Sequence, residues 1–229
     1  MKDRSAARYL ITGTDTGVGK TVATISLGKA LQQQGLTVSA MKPVASGCEY
    51  REGQYRNEDA LLIQKHLCPQ LSYEDINPYA FAPAIAPHIA AQFLQQEIKL
   101  DQVCRQIEKL SASSDVVLVE GAGGLKVPLN KSGDDFTTLA KAAALSTILV
   151  VDIRIGCINH SLLTVESITQ SGLEFAGWIA NLNTPHTKVI RQQLNTLQKS
   201  ISAPLFGIIP LEQNLDFVVT HSYLNTCLL

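Results

Sequence analysis

Residues 8–23 read RYLITGTDTGVGKTVA, and the fold is decided there. The apolar run Tyr9–Ile11 leads into a loop rich in Gly and Thr, then Lys20-Thr21, then an Ala-rich apolar pattern. That order reads as buried strand, phosphate loop, helix. Gly13, Gly17 and Gly19 let the backbone turn tightly and aim successive N–H groups inward. With the positive end of the helix that begins near Lys20, these N–H groups make a site for bound phosphate. Asp15, Thr16, Gly17, Val18 and Gly19 are therefore expected around a nucleotide, with Lys20 reaching its β- and γ-phosphates and the Thr21 hydroxyl holding Mg²⁺. The strict spacing G-x-x-x-x-G-K-[ST] is missed by one place, because Thr14 stands where the first glycine belongs and Gly13 precedes it. A merely flexible turn is the plain alternative. The agreement of strand, loop, Gly-Lys-Thr and helix disfavours it.

Outward from this stretch, the pattern alternates. Helical spacing runs from Lys20 to about Gln34, where Gly35 stops it. Thr37–Met41 reads as a second strand, ended by Lys42-Pro43. Val44–Asn57 reads as a polar loop, followed by a helix near Asn57–Gln64. Residues 67–88 carry four prolines and read as irregular. Helical patterns follow near Ile89–Gln95 and Asp101–Ser111. Val116–Glu120 and Ser146–Asp152 are continuous apolar runs ending in an acid, as expected of parallel strands covered on both faces. Helices are expected over Phe136–Leu145, Asn159–Ser171 and Pro185–Lys199, and strands over Phe175–Asn181 and Pro204–Ile209. Such alternation implies α/β architecture in three layers, a mostly parallel sheet with helices on both faces. No repeat or linker divides the chain, so residues 1–229 are expected to form a single domain.

The whole chain narrows the function classes. Its 229 residues suffice for a sizeable core. With a net charge of −1 and few aromatics, it has neither the field nor the stacking surface expected of a nucleic-acid binder. The five cysteines are scattered and never spaced C-x-x-C, which suits reduced thiols in a cytoplasm. No signal-peptide pattern opens the chain, and no run is long and apolar enough to span a membrane.

Ligands of parallel α/β sheets gather outside the carboxyl ends of the strands. Glu120 ends an apolar strand and, with Asp59, is a candidate Mg²⁺ ligand; an ion pair between Glu120 and a lysine is the plain alternative. Lys42 follows a strand and could neutralise an anion facing the γ-phosphate; a solvated loop lysine is its alternative. Ser46 could add a hydroxyl. Gly121, Gly123 and Gly124 allow close approach of a ligand. Gly156-Cys157-Ile158-Asn159 opens a helix, whose free N–H groups could bind a carboxylate, or which Asn159 could simply cap. Asn181 ends a strand and could read adenine through its amide.

These residues also carry a resemblance. TGTDTGVGKT at 12–21, KPVASG at 42–47, RNEDA at 56–60, NPY at 77–79, APH at 86–88, VEGAGG at 119–124, GCINH at 156–160, GWIAN at 177–181, TP at 184–185 and APLFGIIP at 203–210 run in order across the chain. The chain closely resembles dethiobiotin synthetases. The resemblance implies a P-loop NTPase-type fold with about seven strands, a homodimer, and the substrates 7,8-diaminononanoate, CO₂ and ATP with Mg²⁺. One amine of the substrate becomes a carbamate, whose oxygen attacks the γ-phosphate. The second amine attacks the resulting carbamic–phosphoric anhydride, the ureido ring closes and phosphate leaves.

By that resemblance, Lys20 and Lys42 hold phosphate and carbamate charge, and Ser46 contacts the reacting end of the substrate. Thr21, Asp59 and Glu120 serve the metal. Asn181 reads adenine, Pro210, Leu211 and Glu212 line the adenosine, and Gly156, Cys157 and Asn159 take the distant carboxylate across the dimer interface. Two departures stand out. Gly17 replaces an acid that some members carry, and residues 186–199 lack a tyrosine that some members offer to the carboxylate, with Gln193 near that position.

Two rivals share the loop. Cobyrinate amidating enzymes carry a further glutamine-hydrolysing domain, for which this chain is too short. Partitioning or assembly ATPases, acting as nucleotide switches, carry an extra lysine early in the loop, and none lies between Thr12 and Val18. A GTPase is disfavoured by the lack of an N-K-x-D motif.

Overall fold

The computed structural model describes residues 6–183, 185, 187–211 and 223–226. β1 (Ala7–Gly13) feeds α1 (Lys20–Gln33), which returns to β2 (Val38–Met41). A segment of short elements follows: β3 (Val44–Ser46), the hairpin β4 (Glu49–Arg51) and β5 (Gln54–Arg56), α2 (Glu58–Leu67), α3 (Tyr73–Ile76), β6 (Tyr79–Phe81) and α4 (Pro87–Phe93). Alternation then resumes with α5 (Leu100–Ser111), β7 (Val116–Glu120), α6 (Phe136–Ala142), β8 (Ser146–Asp152), α7 (Cys157–Gln170), β9 (Phe175–Asn181), α8 (Lys188–Ser200) and β10 (Leu205–Ile209).

The main sheet has the order β10-β9-β8-β1-β7-β2, and every pairing in it is parallel. Where the resemblance implies about seven strands, six are described. Beyond β10 the edge is met by one antiparallel bridge, Gly207 to Leu224, with Asn225 N donating to Phe206 O at 2.6 Å.

Period-2 alternation sends neighbouring strand residues to opposite faces. Leu10, Val117, Val119, Leu149, Val151 and Trp178 enter one core, under α5 to α8. Ile11, Val116, Leu118, Ile148, Val150 and Ile179 enter the other, under α1 to α3. This is the three-layer arrangement expected. Both faces of β7 are covered, which is why VVLVE shows no polar alternation.

Local chemistry sets the helix ends near the site. Asn57 caps α2 by accepting from Ala60 N, and Glu58 and Asp59 sit in its first turn, favoured by the helix dipole. The polar stretch 44–57, expected as loop, holds β3, β4 and β5. Stretch 67–88, expected as irregular, holds α3, β6 and the start of α4. Strands of three residues are too short to display a period. α7 starts at Cys157, two residues before the expected start. Gly156, at φ 92°, is its N-cap, so Asn159 lies inside the first turn and does not cap it.

The chain leaves β1 toward β2 on one side and, after β7, crosses to β8 on the other. Connections therefore diverge at the carboxyl end of β1, where such sheets open a crevice.

Candidate active site

At that crevice lies a cavity of about 650 Å³, lined by Thr16, Gly17, Gly19, Lys20, Thr21, Lys42, Ser46, Asp59, Glu120 and Gly123 among others. These residues come from the loop after β1, the start of α1, the position just after β2, β3, α2, and the end of β7 with the loop that follows it, so the sheet gathers groups spread over more than a hundred positions.

The loop 13–19 wraps into the start of α1. Gly19 stands at φ 91°, a left-handed conformation, and a Cβ there would lie 2.1 Å from Asn181 Nδ2. Glycine is required on both counts. Lys20 is buried, and its Nζ donates to Asp15 O at 2.9 Å. Burial pushes its ammonium down to about 8, against the pull of Glu120. Asp15 faces away from the cavity: Oδ1 accepts from Thr16 N at 2.7 Å, and Oδ2 meets Arg154 at 3.4 Å. Val18 is buried in the core beneath the loop.

Behind the loop, Lys42 Nζ bridges Asp59 Oδ2 at 2.8 Å and Glu120 Oε1 at 2.7 Å. The plain alternative for Glu120, an ion pair with a lysine, is therefore realised, and Lys42 is no solvated loop residue. Burial opposes the charge of Lys42, but Glu120 and Asp59 outweigh it and hold the ammonium above its ordinary value. Burial would likewise raise the Asp59 carboxyl, but Lys42 draws it below its ordinary range. Thr21 Oγ1 donates to Glu120 Oε1 at 2.8 Å.

Glu120 Oε2 is buried and, among the described residues, has no hydrogen-bond partner. An unpaired buried carboxylate oxygen is costly, and a cation there relieves the cost. Thr21, Asp59 and Glu120 offer only hard oxygens, the donor set Mg²⁺ prefers. Among the described residues no cluster of three or more His, Cys, Asp or Glu could hold a metal by itself. Phosphate oxygens and water would have to complete the shell, as is usual for this ion. Ser46 Oγ, on the cavity wall, is also buried without a partner among the described residues.

The other expected residues lie outside this cavity. Gly121 N donates to Ile11 O at 3.0 Å, and Gly124 packs near Gly13 O, so both serve close approach of β7 to β1. Gly156 and Asn159 are exposed at the start of α7, and Cys157 is buried, its Sγ donating to Gln193 Oε1 at 3.5 Å. Asn181 is buried with both amide protons engaged, on Val18 O at 2.9 Å and Asn183 Oδ1 at 3.0 Å. Pro210 and Leu211 follow β10. Glu212 lies outside the described residues.

Reading residues singly missed two features. Ala84, Ile85, Ala86 and Pro87 form a cavity wall; the proline at the first turn of α4 was the available signal. Asn77 Nδ2 donates to Lys42 O at 2.6 Å and Tyr73 OH to Asn77 Oδ1 at 2.8 Å, fixing the backbone that carries Lys42.

A family model described as an AAA domain matches residues 7–218. The ATP-dependent dethiobiotin synthetase BioD of Pseudomonas aeruginosa (strain UCBPP-PA14) is 44% identical over 205 residues, covering 88% of this chain and 89% of that one. Its namesake from Nitrosospira multiformis is 43% identical over 208 residues, covering 91% and 90%. Among solved structures, cobyrinic acid a,c-diamide synthase from Mycobacterium smegmatis with bound ATP analog and magnesium aligns with TM-score 0.59 at 18% identity, over 95% of this chain and 92% of that one. The MinD cell division protein of Aquifex aeolicus aligns with TM-score 0.57 at 18% identity, over 94% and 86%. At such identities these two similarities bear on the fold alone.

Proposed function

The chain belongs to the dethiobiotin synthetase family, and from that premise we propose how its residues perform the family's ATP-dependent ligase reaction. One observation carries the assignment of roles: Lys20, Thr21, Lys42, Asp59 and Glu120 converge on a single cavity at the strand ends. Phosphoryl transfer needs positioning and charge neutralisation more than a protein nucleophile, and this cavity offers both.

The N–H groups of the loop cradle the phosphates of ATP. Lys20 gives up its bond to Asp15 O and turns to the β- and γ-phosphates. Lys42, held charged by its two carboxylates, faces the carbamate formed from CO₂ and one amine of diaminononanoate. Ser46 Oγ accepts a proton from, or donates one to, the same end of the substrate. Thr21, Asp59 and Glu120 would hold Mg²⁺, which when bound would supply charge neutralisation at the phosphates. With both protons of its amide engaged, Asn181 has Oδ1 to accept from the adenine amine, beside Pro210, Leu211 and Glu212.

The start of α7, Gly156, Cys157 and Asn159, takes the distant carboxylate. The extended substrate needs two separated sites, and homodimerisation brings the second from a partner protomer. Exposed Ile155, Leu162 and Leu163 beside that start, and exposed Ile89 and Phe93 on α4, support such a contact. Loop, acid pair and carboxylate site all rise from one sheet, which supports a single-domain enzyme. Among the described residues no helix is long and apolar enough to cross a membrane, and scattered free thiols support a cytoplasmic place.

The test mixes the protein with diaminononanoate, bicarbonate, ATP and Mg²⁺ and follows phosphate and ureido product. Phosphate release that requires the diamine and is lost on chelation of Mg²⁺ is expected. Diamine-independent hydrolysis would overturn the reading in favour of a nucleotide switch.

A further inference from the structure

Two consecutive carbonyls of the phosphate loop are held from behind by two asparagines at the end of β9. Asn181 Nδ2 donates to Val18 O at 2.9 Å, and Asn183 Nδ2 donates to Gly17 O at 3.4 Å. The pair is joined, since Asn183 Oδ1 accepts from Asn181 Nδ2 at 3.0 Å. A peptide whose carbonyl is fixed on one side presents its N–H on the other, because the unit is planar. Holding the carbonyls of residues 17 and 18 outward therefore turns the N–H groups of Val18 and Gly19 toward the phosphate side.

The loop needs such a brace at this point. Gly17 is exposed, sits at φ 74°, and has no atom within 4 Å of where a Cβ would be. Its neighbours are better anchored: Asp15 by Thr16, Lys20 and Arg154, and Val18 by the core. A glycine, with no side chain to pack, loses the most conformational entropy on ordering.

We infer that Asn183 is a positioning residue, which fixes the Gly17 peptide in its phosphate-binding orientation and orients Asn181 for the same purpose. The inference rests on the reading that the loop 13–21 holds the phosphates of ATP. Asn183 touches no reacting atom in this role; it removes an ordering cost that ATP would otherwise meet on binding.

The test is Asn183→Ala and Asn183→Leu, the latter keeping similar bulk without hydrogen bonds. Asn183 is exposed, so both variants fold, and ligand-free melting temperatures should stay within about 2 °C of the parent. Loss of a hydrogen bond that pre-sets the loop is expected to raise KM for ATP roughly 2–10-fold while kcat stays within about twofold. Inorganic tripolyphosphate, a phosphate chain without a base, should weaken as a competitive inhibitor by the same factor, and by more than adenosine, which meets only Asn181. An unaltered KM for ATP would overturn the inference. So would weakened adenosine inhibition with tripolyphosphate unaffected, which would make Asn183 an arm of base recognition. If the parent protein itself shows no diamine- and ATP-dependent turnover, the functional reading falls and not this inference alone.

Discussion

Replacing Lys20 by methionine should make the ligand-free protein more stable and the enzyme inactive. The Lys20 ammonium is buried with one backbone carbonyl as its hydrogen-bond partner, and burial holds it at about 8 against an ordinary 10.5. At 1.36 kcal/mol per pKa unit, that gap is a cost of about 3 kcal/mol for keeping the charged group folded. The sign follows from linkage. The folded pKa lies below the unfolded one, so between pH 8 and 10.5 the unfolded chain binds more protons, and stability rises with pH across that window. The cost is fully present below pH 8 and falls to about 1 kcal/mol by pH 10.

Met keeps the stem but forfeits the bond to Asp15 O, about 1 kcal/mol. The net gain is then about 2 kcal/mol at pH 7 and close to zero at pH 10. For a chain of this size that is a rise in Tm of about 4–8 °C at pH 7, vanishing at pH 10. Scanning calorimetry without nucleotide measures it, beside a phosphate-release assay in which turnover falls by roughly 10²-fold or more. A variant that melts lower than the parent at pH 7, or that gains equally at both pH values, would refute the reasoning.

Lys42→Met should act in the opposite direction, leaving fully buried Glu120, and the partly exposed Asp59 beside it, without their shared cation; urea denaturation at pH 7 should show a loss of about 3–5 kcal/mol. Because the pKa of Lys42 is raised, the stability it contributes is present below pH 10.5 and lost as pH rises through the folded value, while the part carried by Asp59, whose pKa is lowered, is present above 3.8 and lost in acid. Gly19→Ala places a methyl 2.1 Å from Asn181 Nδ2 at φ 91°, so calorimetric titration should find ATP binding weakened by more than about tenfold, corresponding to roughly 1.4 kcal/mol or more. Leu163→Glu puts a charge on the exposed apolar face of α7; if the proposed homodimer forms there, sedimentation should show the variant as monomer where the parent is dimeric, with KM for the diamine raised more than KM for ATP.

The central sheet was legible because its chemistry is local. Val116–Glu120 and Ser146–Asp152 are buried on both faces, so an apolar run bounded by an acid marks them to the residue. The region between β2 and α5 was not legible, since three-residue strands show no period and their partners are chosen by tertiary contact, as Tyr50 finds Tyr55 across β4 and β5. At the site, residue type and position after a strand pointed to Lys42 and Glu120, but not to each other: a pairing 78 positions apart leaves no trace in spacing. Asn181 shows the limit from the other side. Its place was foreseen, but its contact with the phosphate loop depends on how closely Gly19 approaches β9. A cap at Asn159, one of the two readings open for this helix start, suits its residue type, but a left-handed Gly156 holds the N-cap position instead.

The chain holds a single tryptophan, Trp178, and β9 buries it in the core three positions before Asn181. An indole so placed emits from an apolar shell, and its colour shifts when water reaches it. The fold thus carries its own optical probe on the strand that braces the phosphate loop, and unfolding can be followed in the unlabelled protein.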